Sequence, residues 1–193
     1  RILSIAISTV FVTSPNHLPL FAFRMLRLFL KYGDLPLASF GYTSVGIIER
    51  AALGNLLRGY EFGRLGVRML EKYDAAALEG RTTNVVNGML RHWVEPIRNT
   101  IPDLTAAISR AESFGDLEFS GYLIINAGSN RLTAGDSLAE LHDIFQEMGL
   151  RLRKKKLHAS LDMYLPLIRM AAKLRNAPPL EDQQLQELIT DAA

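Results

Sequence analysis

The chain has 193 residues, 48% hydrophobic and 22% charged, which is enough apolar material for a buried core and too much for a disordered polymer. Lysine and arginine total 22 against 20 aspartates and glutamates, a balance too even to mark a partner of polyanions. Cysteine is absent, which excludes disulfides, thiolate metal sites and thiol nucleophiles and fits a cytoplasmic protein.

Arg1 and the apolar run Ile2 to Val12 imitate a short signal peptide, but there is no initiator Met and no small-x-small cleavage site before Ser14-Pro15-Asn16. The run is therefore predicted to be a helix truncated at the edge of an excised fragment. Ser14 before Pro15 suits the start of the next helix, whose stripe is Ala22, Met25, Leu26 and Phe29. A second helix is predicted over Leu35 to Leu53, with a connecting loop after it from Gly54-Asn55 to Gly59. Next come a helix with the stripe Gly63, Gly66, Val67 and Leu70, a helix over Ala75 to Trp93, and a turn at Glu95-Pro96. The series continues with the stripe Leu104, Ala107, Ile108 and Ala111, a helix over Leu117 to Ala134, and the turn Gly135-Asp136-Ser137, where Asp136 or Ser137 caps the next helix. Leu150 to Arg175 reads as a further helix interrupted near Pro166. Asn176-Ala177-Pro178-Pro179 stops it, and Leu180 to Ile189 is a weak terminal helix. β-Branched runs such as Ile5 to Val12 and Leu123 to Ile125 are not strands, because they lack period-two alternation and hairpin turns.

Beneath this order lies an internal repeat. Lys31-Tyr32-Gly33-Asp34-Leu35, Lys72-Tyr73-Asp74-Ala75-Ala76 and Ser113-Phe114-Gly115-Asp116-Leu117 are spaced by 41 residues, and the same offset superimposes the three stripes. Each stripe runs i, i+3, i+4, i+7, one face of a helix, and its small members let helix axes approach closely. The predicted fold is all-α: antiparallel helix pairs of about 41 residues, stacked as a tetratricopeptide-like right-handed α-solenoid over residues 1–175. The units are 34–74, 75–115 and 116–149, flanked by partial units, and 176–193 is a weak helix or linker.

No motif carries chemistry. Gly54-Asn55-Leu56-Leu57-Arg58-Gly59 has glycine spacing like a phosphate loop but continues Tyr60-Glu61 instead of Lys and Ser or Thr. His17, His92, His142 and His158 stand alone, and Asp143 next to His142 points about 100° away on a helix, so no metal or cofactor is expected. No nucleophile elbow is present. The run Arg151-Leu152-Arg153-Lys154-Lys155-Lys156 has no interleaved aromatics and comes after Glu140, Asp143 and Glu147, so it reads as a solvated helix end and not as a nucleic-acid or lipid patch. Trp93, Tyr60 and Phe62 read as packing between units.

The candidate interaction residues are polar positions on the first helix of each pair, the row that lines the concave surface of such a stack. Tyr42, Asn84 and Asn126 recur every 42 residues, and Asn87, Arg91 and Asn130 lie at compatible spacing. Such a ladder would bind an extended peptide through amides and a guanidinium; alternatively it satisfies hydrogen bonds between helices.

Leu28-Phe29-Leu30-Lys31-Tyr32-Gly33, Gly59-Tyr60-Glu61-Phe62-Gly63-Arg64-Leu65, Arg91-His92-Trp93-Val94-Glu95-Pro96 and Gly115-Asp116-Leu117-Glu118-Phe119-Ser120-Gly121-Tyr122 resemble the helical repeat region of large bacterial multi-sensor signal-transduction kinases. In that family the repeats lie between a Ser/Thr-kinase-like domain with an AAA-type ATPase module and a GAF sensor with a histidine kinase. The resemblance implies a non-catalytic scaffold and interdomain coupling segment, whose partners are a protein, a peptide or neighbouring domains. No nucleic-acid partner is expected, given the basic run without aromatics, and no membrane partner, given the lack of an apolar stretch of ~20 residues; the exposed ends of an excised solenoid offer a homodimer contact. The competing expectation is a small-ligand sensor that binds a metabolite between helix pairs.

Overall fold

The structure is a computed structural model that describes residues 2–175. The expected stop at 176–179, the weak helix over 180–189 and the terminal linker lie outside the described residues.

Among the described residues all regular structure is helical. The elements are α1 (Ile2–Thr13), α2 (Leu18–Tyr32), α3 (Ala38–Ala51), α4 (Leu56–Lys72), α5 (Glu79–Val85), α6 (Ile101–Ser113), α7 (Leu117–Ala134), α8 (Leu138–Lys154) and α9 (His158–Leu174). None of them is long and apolar enough to cross a membrane. α5 does not end at Val85. It passes into a π turn over Val86–Leu90 and a 3-10 turn over Arg91–Trp93, so the predicted helix from 75 to 93 exists with an altered pitch in its second half.

Three local expectations are corrected. The loop from Gly54 to Gly59 is displaced: the chain turns over residues 52–55, with Gly54 at φ +71°, and Leu56 already begins α4. Pro166 does not interrupt α9, which runs through it. The break falls at Lys155–Leu157, where Lys156 takes φ +57° and separates α8 from α9. Ser14 makes no side-chain cap; it precedes a 3-10 turn at Pro15–His17 that leads into α2. At the turn before α8, the Ser137 side chain does accept from the Glu140 amide, so that helix starts where the sequence places it.

The apolar stripes become the contact faces. Ala22, Met25 and Phe29 are buried in α2, and Leu104, Ala107, Ile108 and Ala111 in α6. In α4 the stripe turns slightly: Gly59, Gly63, Gly66 and Met69 are buried, while Val67 is exposed. Gly59 and Gly66 serve the crossing with α3, while Gly63 faces Val86 and Leu90 of the π turn. A methyl built on Gly66 would stand 2.5 Å from Thr43 Cγ2 and 2.6 Å from the Ser39 carbonyl, so α3 and α4 meet backbone to backbone.

Packing keeps a two-row order. The odd-numbered helices touch in series, α1 to α3, α3 to α5, α5 to α7 and α7 to α9, and each even-numbered helix packs on the odd helices before and after it. Two buried clusters result, one built from α1 to α5 and one from α6 to α9. They are joined by Phe119 of α7, whose ring meets Phe40 of α3 edge-on at 5.6 Å.

Polar bonds repeat along the chain at nearly the repeat length. Tyr73 donates to the Asp34 carbonyl at 2.8 Å, 39 residues away. Asn126 donates to Asn84 at 42 residues, Arg151 pairs with Glu112 at 39, and Arg98 reaches Asp136 at 38. Asn126–Asn84 and Arg98–Asp136 tie residues 75–115 to residues 116–149, Tyr73–Asp34 closes residues 34–74 on themselves, and Arg151–Glu112 joins α8 to α6.

Candidate functional site

The odd-numbered helices, with Leu18 of α2, line a partly open cavity of about 140 Å³. Every odd helix contributes: Ile7 and Phe11 from α1, Phe40, Ser44 and Ile47 from α3, Asn84 and Val85 from α5, Met89 from its π turn, Phe119, Tyr122 and Asn126 from α7, and Met163 from α9. Apolar side chains dominate the wall, and among the described residues no Asp, Glu, Lys or Arg belongs to it.

Its polar groups are few and mostly committed. The Ser44 hydroxyl donates to the Phe40 carbonyl at 2.8 Å. Asn126 Nδ2 donates to Asn84 Oδ1 at 2.9 Å, and Asn84 is only 2% exposed. A carboxamide offers two N–H donors and a carbonyl with two lone pairs. One mutual bond therefore leaves the pair with an NH₂ on one side and a carbonyl on the other, whichever way round the two amides are assigned. Tyr122 donates to Glu118 at 3.3 Å, and its hydroxyl pKa is raised by burial and by the Glu118 charge.

Local sequence explains how the amides meet. A Cβ on Gly88 would stand 2.7 Å from Asn126 Cγ, so glycine is what lets α7 come close enough to α5 for the two amides to bond. The π turn carries i to i+5 bonds, so residues five apart share a face there. That brings Met89 to the side of Asn84, where both line the cavity.

The six interaction residues singled out from the sequence divide into three settings. Asn84 and Asn126 line the cavity together. Tyr42 lies elsewhere: it is buried between Phe29 and Phe62, with ring centroids at 6.0 and 6.5 Å, and donates to Asp34 Oδ1 at 2.7 Å. Its pKa is pushed up to about 12 by burial, by the bond to Asp34 and by the charge of Asp34. Asn87, Arg91 and Asn130 form the third group. Asn130 Nδ2 donates to Thr100 Oγ1 at 2.8 Å and to the Asn87 carbonyl at 3.3 Å, while Arg91 donates to Glu95, Asn87 and Asp103. Asn87 and Arg91 also face a separate polar cleft with Tyr60, Arg64 and Arg68, and Tyr60 there donates to Glu95.

The basic run at the end of α8 is not simply solvated. Arg151 and Lys155 both reach Glu112 of α6, at 2.9 and 3.0 Å. Burial alone would raise the Glu112 carboxyl, but its bonds to Arg151, Lys155 and Ser120 outweigh that and hold it below the usual carboxylate range. His92 is lowered by burial and by the nearby Arg50 charge. Among the described residues no three His, Asp or Glu side chains converge as metal ligands would.

Phe40, Ser44, Ile47, Met89, Phe119 and Tyr122 are not legible from the sequence as cavity residues. Their apolar spacing is that of any core helix, and nothing in it separates a wall from a packed interior.

Together, fold and cavity define, over the described residues, an all-helical protein with a repeating order of packing and an apolar chamber lined by its odd-numbered helices and Leu18. No family model, no curated protein and no solved structure matches this chain.

Proposed function

We propose that this chain is a non-catalytic interaction and coupling segment, a tetratricopeptide-like right-handed α-solenoid within a larger cytoplasmic signalling ATPase or kinase of the bacterial multi-sensor type. The observation that carries this reading is the continuous row of odd-numbered helices. In a stack of helix pairs one row forms the inner surface, and stacked units present an extended concave face to partners. Polar bonds at separations of 38 and 42 residues, which join residues 75–115 to residues 116–149, support a stack that advances by one unit at a time. At the mouth of the cavity, Phe11, Val12 and Met163 remain 38%, 61% and 56% exposed, an apolar rim on which a neighbouring domain or peptide would dock.

The test is a paired substitution at that rim, Val12→Asp with Met163→Asp, in the multidomain parent protein. Both side chains are exposed, so folding survives. Amide hydrogen exchange across α3, α5 and α7 is protected in the parent relative to the isolated chain, and the paired variant loses that extra protection. Equal exchange in parent and isolated chain would overturn the docking role.

A further inference from the structure

We propose that the cavity between the odd-numbered helices is a binding site for a small uncharged amphiphile: a body the size of one aromatic ring, or a branched aliphatic group of that volume, with a single hydroxyl or carboxamide head held by Asn84 and Asn126. The inference rests on the reading of the odd-helix face as a binding surface and names a ligand for it.

Size comes first. A cavity of about 140 Å³ is close to the ~150 Å³ of engineered apolar cavities that take up benzene. Six helices contribute to its wall, so a ligand there touches Phe40, Ile47, Val85 and Phe119 on several sides and gains dispersion and desolvation energy together.

Charge is excluded by the wall. An ionised head would lose its hydration with no opposite charge to meet, at a cost of several kcal/mol. A neutral head meets a matched pair instead. Asn84 and Asn126 use one donor and one acceptor on each other and present the remaining NH₂ and carbonyl, so a hydroxyl or carboxamide can donate and accept at once. The glycine at 88 and the π turn after Val85 are the backbone features that bring this pair and Met89 to the chamber.

The six methionines report on the site, because only Met89 and Met163 line it. The experiment is methyl NMR of the ¹³C-methionine-labelled chain titrated with phenol, toluene and benzoate. Phenol and toluene are expected to shift Met89 and Met163 saturably while Met25, Met69, Met148 and Met170 stay in place. Phenol binds the tighter, by roughly three- to tenfold, the worth of one net hydrogen bond, and benzoate produces no shift. Asn126→Leu keeps toluene and loses the preference for phenol. The inference is overturned if neither neutral probe saturates at Met89, if toluene binds the wild-type chain as well as phenol does, or if benzoate binds equally. The wild-type comparison needs no variant to fold. It also needs no partner, so a failed titration with intact rim-dependent docking refutes the ligand alone.

Discussion

Gly46 of α3 and Gly59 of α4 face each other so closely that a methyl on either would stand 2.7 or 2.8 Å from the carbonyl oxygen of the other. Neither backbone yields freely, because Gly66 holds the same crossing further along, against Thr43 and Ser39, and Gly63 fixes the other side of α4 against Leu90 and Val86. Gly46→Ala or Gly59→Ala gains about 1 kcal/mol of helix propensity and loses more to overpacking, for which about 1–3 kcal/mol is typical. Each is expected to lower unfolding free energy by about 1–2 kcal/mol in urea titration. An unchanged midpoint would mean that the helices separate at little cost.

Arg81 and Asp116 form a two-pronged pair at 2.8 and 3.2 Å, with side chains only 22% and 10% exposed, and the guanidinium also lies over the Phe119 ring. Arg81→Ala leaves the carboxylate largely desolvated, and the expected loss is about 2 kcal/mol. Arg64→Ala, whose pair with Glu61 is more than half exposed, is the control and should cost under about 0.5 kcal/mol. Similar thermal midpoints for the two variants would refute the difference in burial.

The depressed Glu112 carboxyl makes acid stability depend on one cluster. Its contribution is complete above the unfolded value near 4.5 and is lost as pH falls through the lower folded value. Between about pH 5 and pH 3 the wild-type melting temperature should therefore fall more steeply than that of Glu112→Gln, which lacks the titrating group. Parallel pH profiles would show that the bonds to Arg151 and Lys155 carry no net preference for the charged form.

Pro166 sits in mid-helix on the exposed side of α9 and offers no N–H to the carbonyl of Asp162, four residues earlier. Pro166→Ala restores that bond without uncovering any buried surface. The variant is expected to be more stable by about 1–3 kcal/mol, measured by thermal or chemical unfolding. A loss of stability would mean that the packing of α9 on α7 and α8 needs a bend at this point.

Much of this architecture is legible in the order of residues. The stripe Leu104, Ala107, Ile108 and Ala111 becomes the buried face of α6, and a bond between Asn84 and Asn126 joins two units at 42 residues, close to the 41-residue offset. The two asparagines spaced by 42 residues do meet, but Tyr42, which continues their series, packs among aromatic rings away from the cavity. Equal spacing places residues at equivalent points of successive helices and leaves the local direction of each side chain open. Pro166 misleads because proline is strongly unfavourable within an isolated helix, whereas α9 is held on both sides of it by the buried Tyr164, Leu165 and Ile168. Lys156, with no glycine to advertise a left-handed turn, breaks the chain instead.

What the chain order determines on its own is therefore the helical class, the apolar face of each helix and the period of the pairs, because these depend on residues within a few turns of one another. What only tertiary packing decides is the pitch of α5 past Val85, the amide pair at Asn84 and Asn126, and the chamber they overlook. Those arise where six helices converge. Burial between neighbours that are far apart in sequence leaves no local pattern, and an apolar wall facing a void carries the same residues as one facing another side chain.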